Sequence, residues 1–277
     1  MFIMKKLNIL ILAMLMVFTR LSFASEKIYT FGVVPQQAAS EMAETWLPFL
    51  AWVSAKSGVT LRFVTAPDIP AFEARLAKGE YDLAYMNPYH YTVFHKKSGY
   101  EALAKEKDRK LKGILVVRKD SPIKDIKELN GATLVFPAPA AFAASILPRV
   151  ALRREGVTFT TKFVSSHDSV YLNVAHGLYP AGGGIVRTFE MVDEPVRRDL
   201  RVLWTTPSYT SHAIAGNAKL PKDVAKKLQD AFAGMADDPA GQKMLKLIGF
   251  KGMEVAQDAD WNDVRQLNIT ELDRRIE

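Results

Sequence analysis

The residues of this chain with the clearest capacity for chemistry are those able to hold an anion. Segment 136–155 reads FPAPAAFAASILPRVALRRE. A β-like lead-in from Thr133 to Phe136 runs through Pro137, Ala138 and Pro139 into an alanine-rich helix with no Ser, Thr, Asp or Asn at its start. The first amides of such a helix, among them those around Ala140, Ala141 and Phe142, lack a local acceptor and carry the positive end of the helix dipole. Either an anionic ligand caps that end or water does, as in an ordinary α/β protein.

Other polar residues lie at the ends of expected strands, where ligands of open α/β sheets collect. Gln36 and Gln37 follow the strand 28–34 and offer amide donors, or simply a polar surface. Tyr85, Asn87 and Tyr89 surround the end of the strand 82–86, where their polar groups can bind and their rings can wall a cleft. Tyr91 is expected in core packing. His167, within Ser165-Ser166-His167-Asp168-Ser169, occupies a strand-to-helix turn as a ligand contact or as a structural hydrogen bonder, with Ser166 or Asp168 able to cap the helix. Gly182, Gly183 and Gly184 permit either a close backbone approach or a tight strand turn. Arg187, three residues on, can clamp an oxyanion or pair with Glu190 or Asp193.

Catalytic and metal signatures are missing. His90 and His95 have no further partner at zinc spacing, the glycine run lacks the Lys-Ser/Thr ending of a nucleotide loop, and no cofactor is expected. There is no Gly-x-Ser-x-Gly elbow, no His-Glu-x-x-His and no carboxylate pair at a strand end, so binding is expected rather than catalysis.

The elements that must position these residues alternate between strand and helix, which predicts α/β layers with mostly parallel sheets. Strands are predicted at 28–34, 61–65, 82–86, 102–105, 113–118, 133–136 and 162–165, with 201–205 and 212–215 as a pair that carries the chain back. Helices are predicted from Ser40 to the stop at Gly58, over 72–78, at 123–129, at 166–176 and through the final third. A middle segment inserted between two parts of one lobe implies two hinge strands and a cleft. The predicted lobes are 25–115 with 211–277, and 116–210.

Composition allows this. The chain has 277 residues, 48% of them hydrophobic, and no cysteine, which excludes disulfides, thiolate metal sites and a lipidated cysteine. Lys5 and Lys6, the apolar run 7–18 and Ser22-Phe23-Ala24 read as a signal peptide cut after Ala24. That cut removes Lys5, Lys6 and Arg20 but no acid, so 37 basic residues less three, against 30 acidic ones, leave +4. No basic stripe is interleaved with stacking aromatics, and nucleic acid is not an expected partner. A periplasmic monomer without a membrane anchor is expected.

Five blocks taken together resemble the periplasmic solute-binding proteins of phosphate, phosphite and phosphonate ABC transporters, of the phosphonate-binding type. They are FGVVP, FEARLAKGEYDLAYMNPYHY, LVVRKDSPIKDIKELNG, the turn ending in LPR, and His167 before a helix ending at Gly177. The resemblance implies a two-lobed periplasmic binding protein fold of type II and an oxyanion held at the helix start after the crossing. It also implies delivery to an ABC permease, or, as an alternative, presentation to a membrane histidine kinase. The family's Ser/Thr run is replaced here by residues 138–145, largely alanine. The segment matching its later Gly-x-x-Asp, Gly177 to Ala181, has no acid. Each lost hydrogen bond to a charged group costs on the order of 1.5–3 kcal/mol, so a ligand other than an aminoalkylphosphonate, or a less polar one, is expected.

Overall fold

The structure, a computed structural model, describes residues 27–272, so the signal-peptide reading of residues 1–24 lies outside it. Two sheets form the chain's framework. The first contains β1 (Tyr29–Val33), β2 (Leu61–Val64), β3 (Leu83–Met86), β4 (Glu101–Glu106), β10 (Ala213–Gly216) and β11 (Met253–Val255), in the order β11-β4-β10-β3-β1-β2. The second holds β5 (Gly113–Arg118), β6 (Ala132–Phe136), β7 (Phe159–Phe163), β8 (Gly182–Ile185) and β9 (Leu200–Thr205), in the order β7-β6-β8-β5-β9.

Pairing is mixed rather than mostly parallel. β1 runs parallel to β2 and β3, and β6 to β7 and β8, but β10 lies antiparallel between β3 and β4, and β5 antiparallel between β8 and β9. The cause is the crossing: β5 has just left the first sheet and β10 is returning to it, so each enters against the local direction. For the same reason β9 and β10, expected as a pair, belong to different sheets. The strand predicted at 162–165 is Phe159–Phe163, because Ser165 turns out with a φ of 71°.

Sequence periodicity explains the layers. In β5, Ile114 and Val116 join the apolar cluster on one face of the second sheet, whereas Leu115 and Val117 join the cluster on the other. Helix Ala39–Ser57 buries Met42, Trp46, Phe49, Leu50 and Val53 at helical spacing against the first sheet. Each such side chain contributes roughly 1.5–3 kcal/mol of burial. Gly58 ends the helix in the left-handed conformation, its N–H donating to Ser54 O. Among the described residues no helix is long and apolar enough to cross a membrane.

Segments 107–112 and 206–212 connect the sheets side by side. Leu111 and Tyr209 exchange two backbone hydrogen bonds between them, of 2.7 and 2.9 Å. The lobe boundary expected at 115 thus falls inside β5. Ala138, Ala140–Ala144 and Ile146 are buried in the same apolar cluster as the core of the first sheet, so the two halves are closed on one another.

Candidate functional site

The helix after β6 begins as a wide π turn, Phe142–Ile146, and continues as Leu147–Arg154. Pro148 has no N–H to offer the carbonyl of Ala144, and the widened turn accommodates that gap. Ala141 stands at the cap position and gives no side-chain bond. Its amide donates to Ala138 O, and its carbonyl accepts from both Ser145 and Ile146 at 2.8 and 3.1 Å. The amides of Phe142, Ala143 and Ala144 consequently have no acceptor among the described residues. Arg149, buried in the LPR turn, donates to Pro139 O at 2.6 Å and to the Ser145 hydroxyl at 3.1 Å, which pins the loop ahead of the helix. Sequence reasoning missed this role, although the LPR block contained it.

Two glycines let the turn sit against the sheet. A Cβ on Gly113 would stand 1.9 Å from Ala143 O, and one on Gly183 would stand 2.0 Å from Ala144 O. Strands β5 and β8 can therefore carry no side chain under the helix start.

The opposite wall comes from the first sheet. Gln36 follows β1, Asn87 follows β3, and His212 precedes β10; with His167 they surround the helix start. The bonds of Gln36 fix their chemistry. Arg187 can only donate, and its Nη2 donates to Gln36 Oε1 at 3.0 Å; Gln36 Nε2 must then be the donor to His212 Nε2, 3.2 Å away. His212 therefore carries its proton on Nδ1. Burial, then the Arg187 charge, holds His212 well below the usual histidine range. The same causes push His167 down to about 3, so both rings are neutral. His167 Nδ1 meets the Thr188 hydroxyl at 2.9 Å, and that hydroxyl meets Tyr171 at 2.7 Å.

Three contacts at the chamber hold the walls together, and Arg149 adds an ion pair to Glu271 at 3.1 Å outside it. The His167 amide donates to Gln36 O at 2.8 Å, Arg187 reaches the Gln36 side chain, and Asn87 Nδ2 lies 3.4 Å from Ala140 O. In this closed arrangement the chamber at the helix start has a volume of about 10 Å³, too little for a phosphate-sized head group. Beside it lies a vestibule of about 330 Å³ that shares Leu111, Ile185 and His212 with the chamber. Arg187 lines it, stacked over Tyr85 and Phe250 with its guanidinium carbon 5.4 and 5.2 Å from the ring centres.

The chain matches the family described as "ABC transporter, phosphonate, periplasmic substrate-binding protein" over residues 31–261. The protein belongs to that family. It is 23% identical over 274 residues to the phosphate-import protein PhnD of Mycolicibacterium smegmatis, covering 86% of this chain and 84% of that one. Against the phosphonates-binding periplasmic protein of Escherichia coli it is 21% identical over 259 residues, covering 88% and 77%. Two solved structures share the fold. The binding component of an ABC phosphonate transporter from Pseudomonas aeruginosa superposes with a TM-score of 0.81 at 18% identity, covering 90% of this chain and 87% of that one. PhnD1 from Prochlorococcus marinus, in complex with methylphosphonate, gives 0.79 at 18% identity, covering 88% and 99%.

In this phosphonate-family protein the structure gathers Gln36, Asn87, Ala141, Phe142 and His167 around the chamber, with Ala140 behind the helix start and Tyr85 and Arg187 on the vestibule side. Three expected residues are elsewhere. Tyr89 turns away, its hydroxyl accepting from the Leu272 amide at 2.8 Å. Gln37 lies behind Gln36, lining a small adjoining space with Met42 and Met191 on the far side of Tyr85 and Arg187. Gly183 is a packing glycine, covered by Ala144 O and the Phe136 ring. Arg187 forms no ion pair among the described residues, because Glu190 is engaged by Arg109 at 2.6 Å.

Asp168, next to His167, points both carboxylate oxygens into buried space. Burial first, and the nearby Glu41 charge second, push it up to about 7. A raised carboxyl favours the fold while protonated. Its contribution is complete below the ordinary value of 3.8 and is lost as pH rises through about 7. Asp168→Asn is therefore expected to stabilise the protein by roughly 1–3 kcal/mol at pH 8 and by much less at pH 5. Thermal unfolding at the two pH values measures the difference, and equal shifts would contradict it.

Proposed function

We propose that this protein is the solute-binding component of an ABC uptake system and captures a small organophosphorus oxyanion in the cleft between its two sheets. The observation that carries this reading is the set of three acceptor-free amides, from Phe142 to Ala144, facing Gln36, Asn87, His167 and His212. Backbone donors and a helix dipole suit an anion without hydroxyl side chains, which accounts for the alanines in place of a Ser/Thr run. When Tyr171 donates to Thr188 and Thr188 to His167 Nδ1, His167 Nε2 bears the proton and becomes a further donor.

Residues 27–112 and 213–272 form one moving lobe in this reading, and 113–205 the other. The lobes part about the Leu111–Tyr209 bridge, releasing the His167–Gln36, Arg187–Gln36 and Asn87–Ala140 contacts. Ligand enters the widened chamber, its oxygens take up the free amides, and the lobes close again on a chamber that the head group keeps wider than about 10 Å³. The closed form is then recognised by a permease. Processing after Ala24 would release the protein into the periplasm.

A thermal-shift series with methylphosphonate, phosphite, phosphate and sulfate tests the proposal. A ligand at a thousand times its Kd adds about 4 kcal/mol, which raises Tm by roughly 8–16 °C in a protein of this size. At least one phosphorus oxyanion is expected to do so, and an unchanged Tm with all four would overturn the reading.

A further inference from the structure

The vestibule beside the chamber has a strongly one-sided charge. Its two carboxylates, Glu106 and Glu190, both face Arg109, at 3.8 and 2.6 Å. The other four cations lining it, Lys110, Lys112, Arg187 and Lys251, have no carboxylate within ion-pair distance among the described residues. Lys110 donates to the Thr210 hydroxyl and Arg187 to Gln36. Glu106, whose Oε1 also accepts from the Lys251 amide at 3.3 Å, feels the charges of Arg187 and Lys251 as well as Arg109, which leaves five cations around two carboxylates.

Neutral donors reinforce the cations. Tyr85 is 2% exposed, lines the vestibule, and has a hydroxyl with no hydrogen-bond partner. A buried phenol in that state is stabilised by any acceptor it can reach. His212, whose Nδ1 proton is fixed through Gln36, stands in the wall common to both spaces. A head group at the helix start would thus direct its substituent past His212 into the vestibule. At about 330 Å³ the space suits a short chain and its terminal group.

We propose that the vestibule binds a second anionic group of the same ligand, so that the preferred solute is a short organophosphorus acid whose substituent ends in a carboxylate. The inference rests on the cleft reading above and names the class of solute. Unpaired ammonium and guanidinium groups attract a carboxylate and repel the amine of an aminoalkylphosphonate. They also replace the expectation of a less polar ligand: the missing family acid is accompanied by a surplus of cations.

Calorimetric titration of the purified protein with methylphosphonate, propylphosphonate, 3-phosphonopropionate and 2-aminoethylphosphonate decides the matter. The carboxylate ligand is expected to bind at least tenfold more tightly than propylphosphonate, and the amine more weakly than methylphosphonate. The double variant Lys112→Gln, Lys251→Gln alters two exposed, unpaired side chains. It is expected to erase the tenfold gain while leaving the methylphosphonate Kd within twofold. Equal affinity for 3-phosphonopropionate and propylphosphonate, or a gain that survives in the double variant, would overturn the vestibule assignment alone. A folded protein that ignores all four compounds would overturn the cleft reading as well.

Discussion

Gly113→Ala is expected to lower the stability of the protein by about 3 kcal/mol or more. The new methyl would stand 1.9 Å from Ala143 O and 2.8 Å from the Ala143 carbonyl carbon, both backbone atoms of the π turn. A flexible side chain could swing aside, but this backbone is held between β5, β8 and the bonds of Arg149. Either the strand or the helix start must move. The expected loss of Tm is roughly 6–12 °C, and ligand affinity should fall with it because the free amides are displaced. Gly234→Ala supplies the control: nothing lies within 4 Å of its Cβ position, and its φ of −80° is helical. That substitution is expected to be neutral or to stabilise by up to about 1 kcal/mol. Circular dichroism melts of the two variants separate a steric effect from a general cost of losing glycine. A Gly113→Ala protein melting within 1 °C of the parent would contradict the packing described here.

Arg187→Met is expected to weaken methylphosphonate binding 10- to 100-fold, or about 1.4–2.8 kcal/mol. Three effects act together. The guanidinium charge beside the chamber disappears, Gln36 loses the donor that orients its amide, and His212 loses the constraint that places its proton on Nδ1. Methionine retains an unbranched side chain of similar length against Tyr85 and Phe250, so the aromatic packing changes less than the electrostatics. The melting temperature without ligand is therefore expected to fall by only a few degrees. Arg187→Lys keeps the charge but not the planar fork, and its affinity should lie between the two. Isothermal titration and ligand-free melts measure the effects separately. A large loss of ligand-free stability with unchanged affinity would assign Arg187 a purely structural role.

Local patterns in the sequence carry much of this arrangement. β5, Gly113–Arg118, has the bounds expected around its apolar run 114–117, and Gly58 stops its helix as a left-handed cap. The uncapped helix start was legible because capping is a local property: four residues without a short polar side chain announce it. Asn87-Pro88 marks a strand end and a candidate binding position in the sequence, and in the fold it also starts a helix: Asn87 accepts from the His90 amide and Pro88 opens helix Pro88–Ser98. His95, Lys96 and Lys97 in its last turn and Gly99 beyond it were the remaining signals. The helix is short and rich in tyrosine and histidine, most of them buried, so its sequence has no clear apolar and polar periodicity.

His212 could not be placed from neighbours in sequence. It reaches the cleft because Ala213 pairs with both Met86 and Lys105, more than a hundred residues away. The glycine run shows a similar limit. Gly182 makes room for Val170, Gly183 for Ala144 O and Phe136, and Gly184 for Tyr171, four neighbours brought in by three different elements: helix His167–Ala175, β6 and the π turn. Composition revealed that something comes close there, and only the fold determines what. The vestibule is assembled the same way, from the end of β4, the crossing, the start of helix Val186–Met191 and the segment around Phe250.

The central claim is that the amides of Phe142, Ala143 and Ala144 bind the oxyanion. Amide proton shifts in an isotope-labelled sample titrated with methylphosphonate test it most directly, since an N–H that gains an anionic acceptor moves downfield. The largest downfield changes are expected at those three residues, saturating with the calorimetric Kd. Saturable binding that leaves all three amides unmoved would contradict the claim.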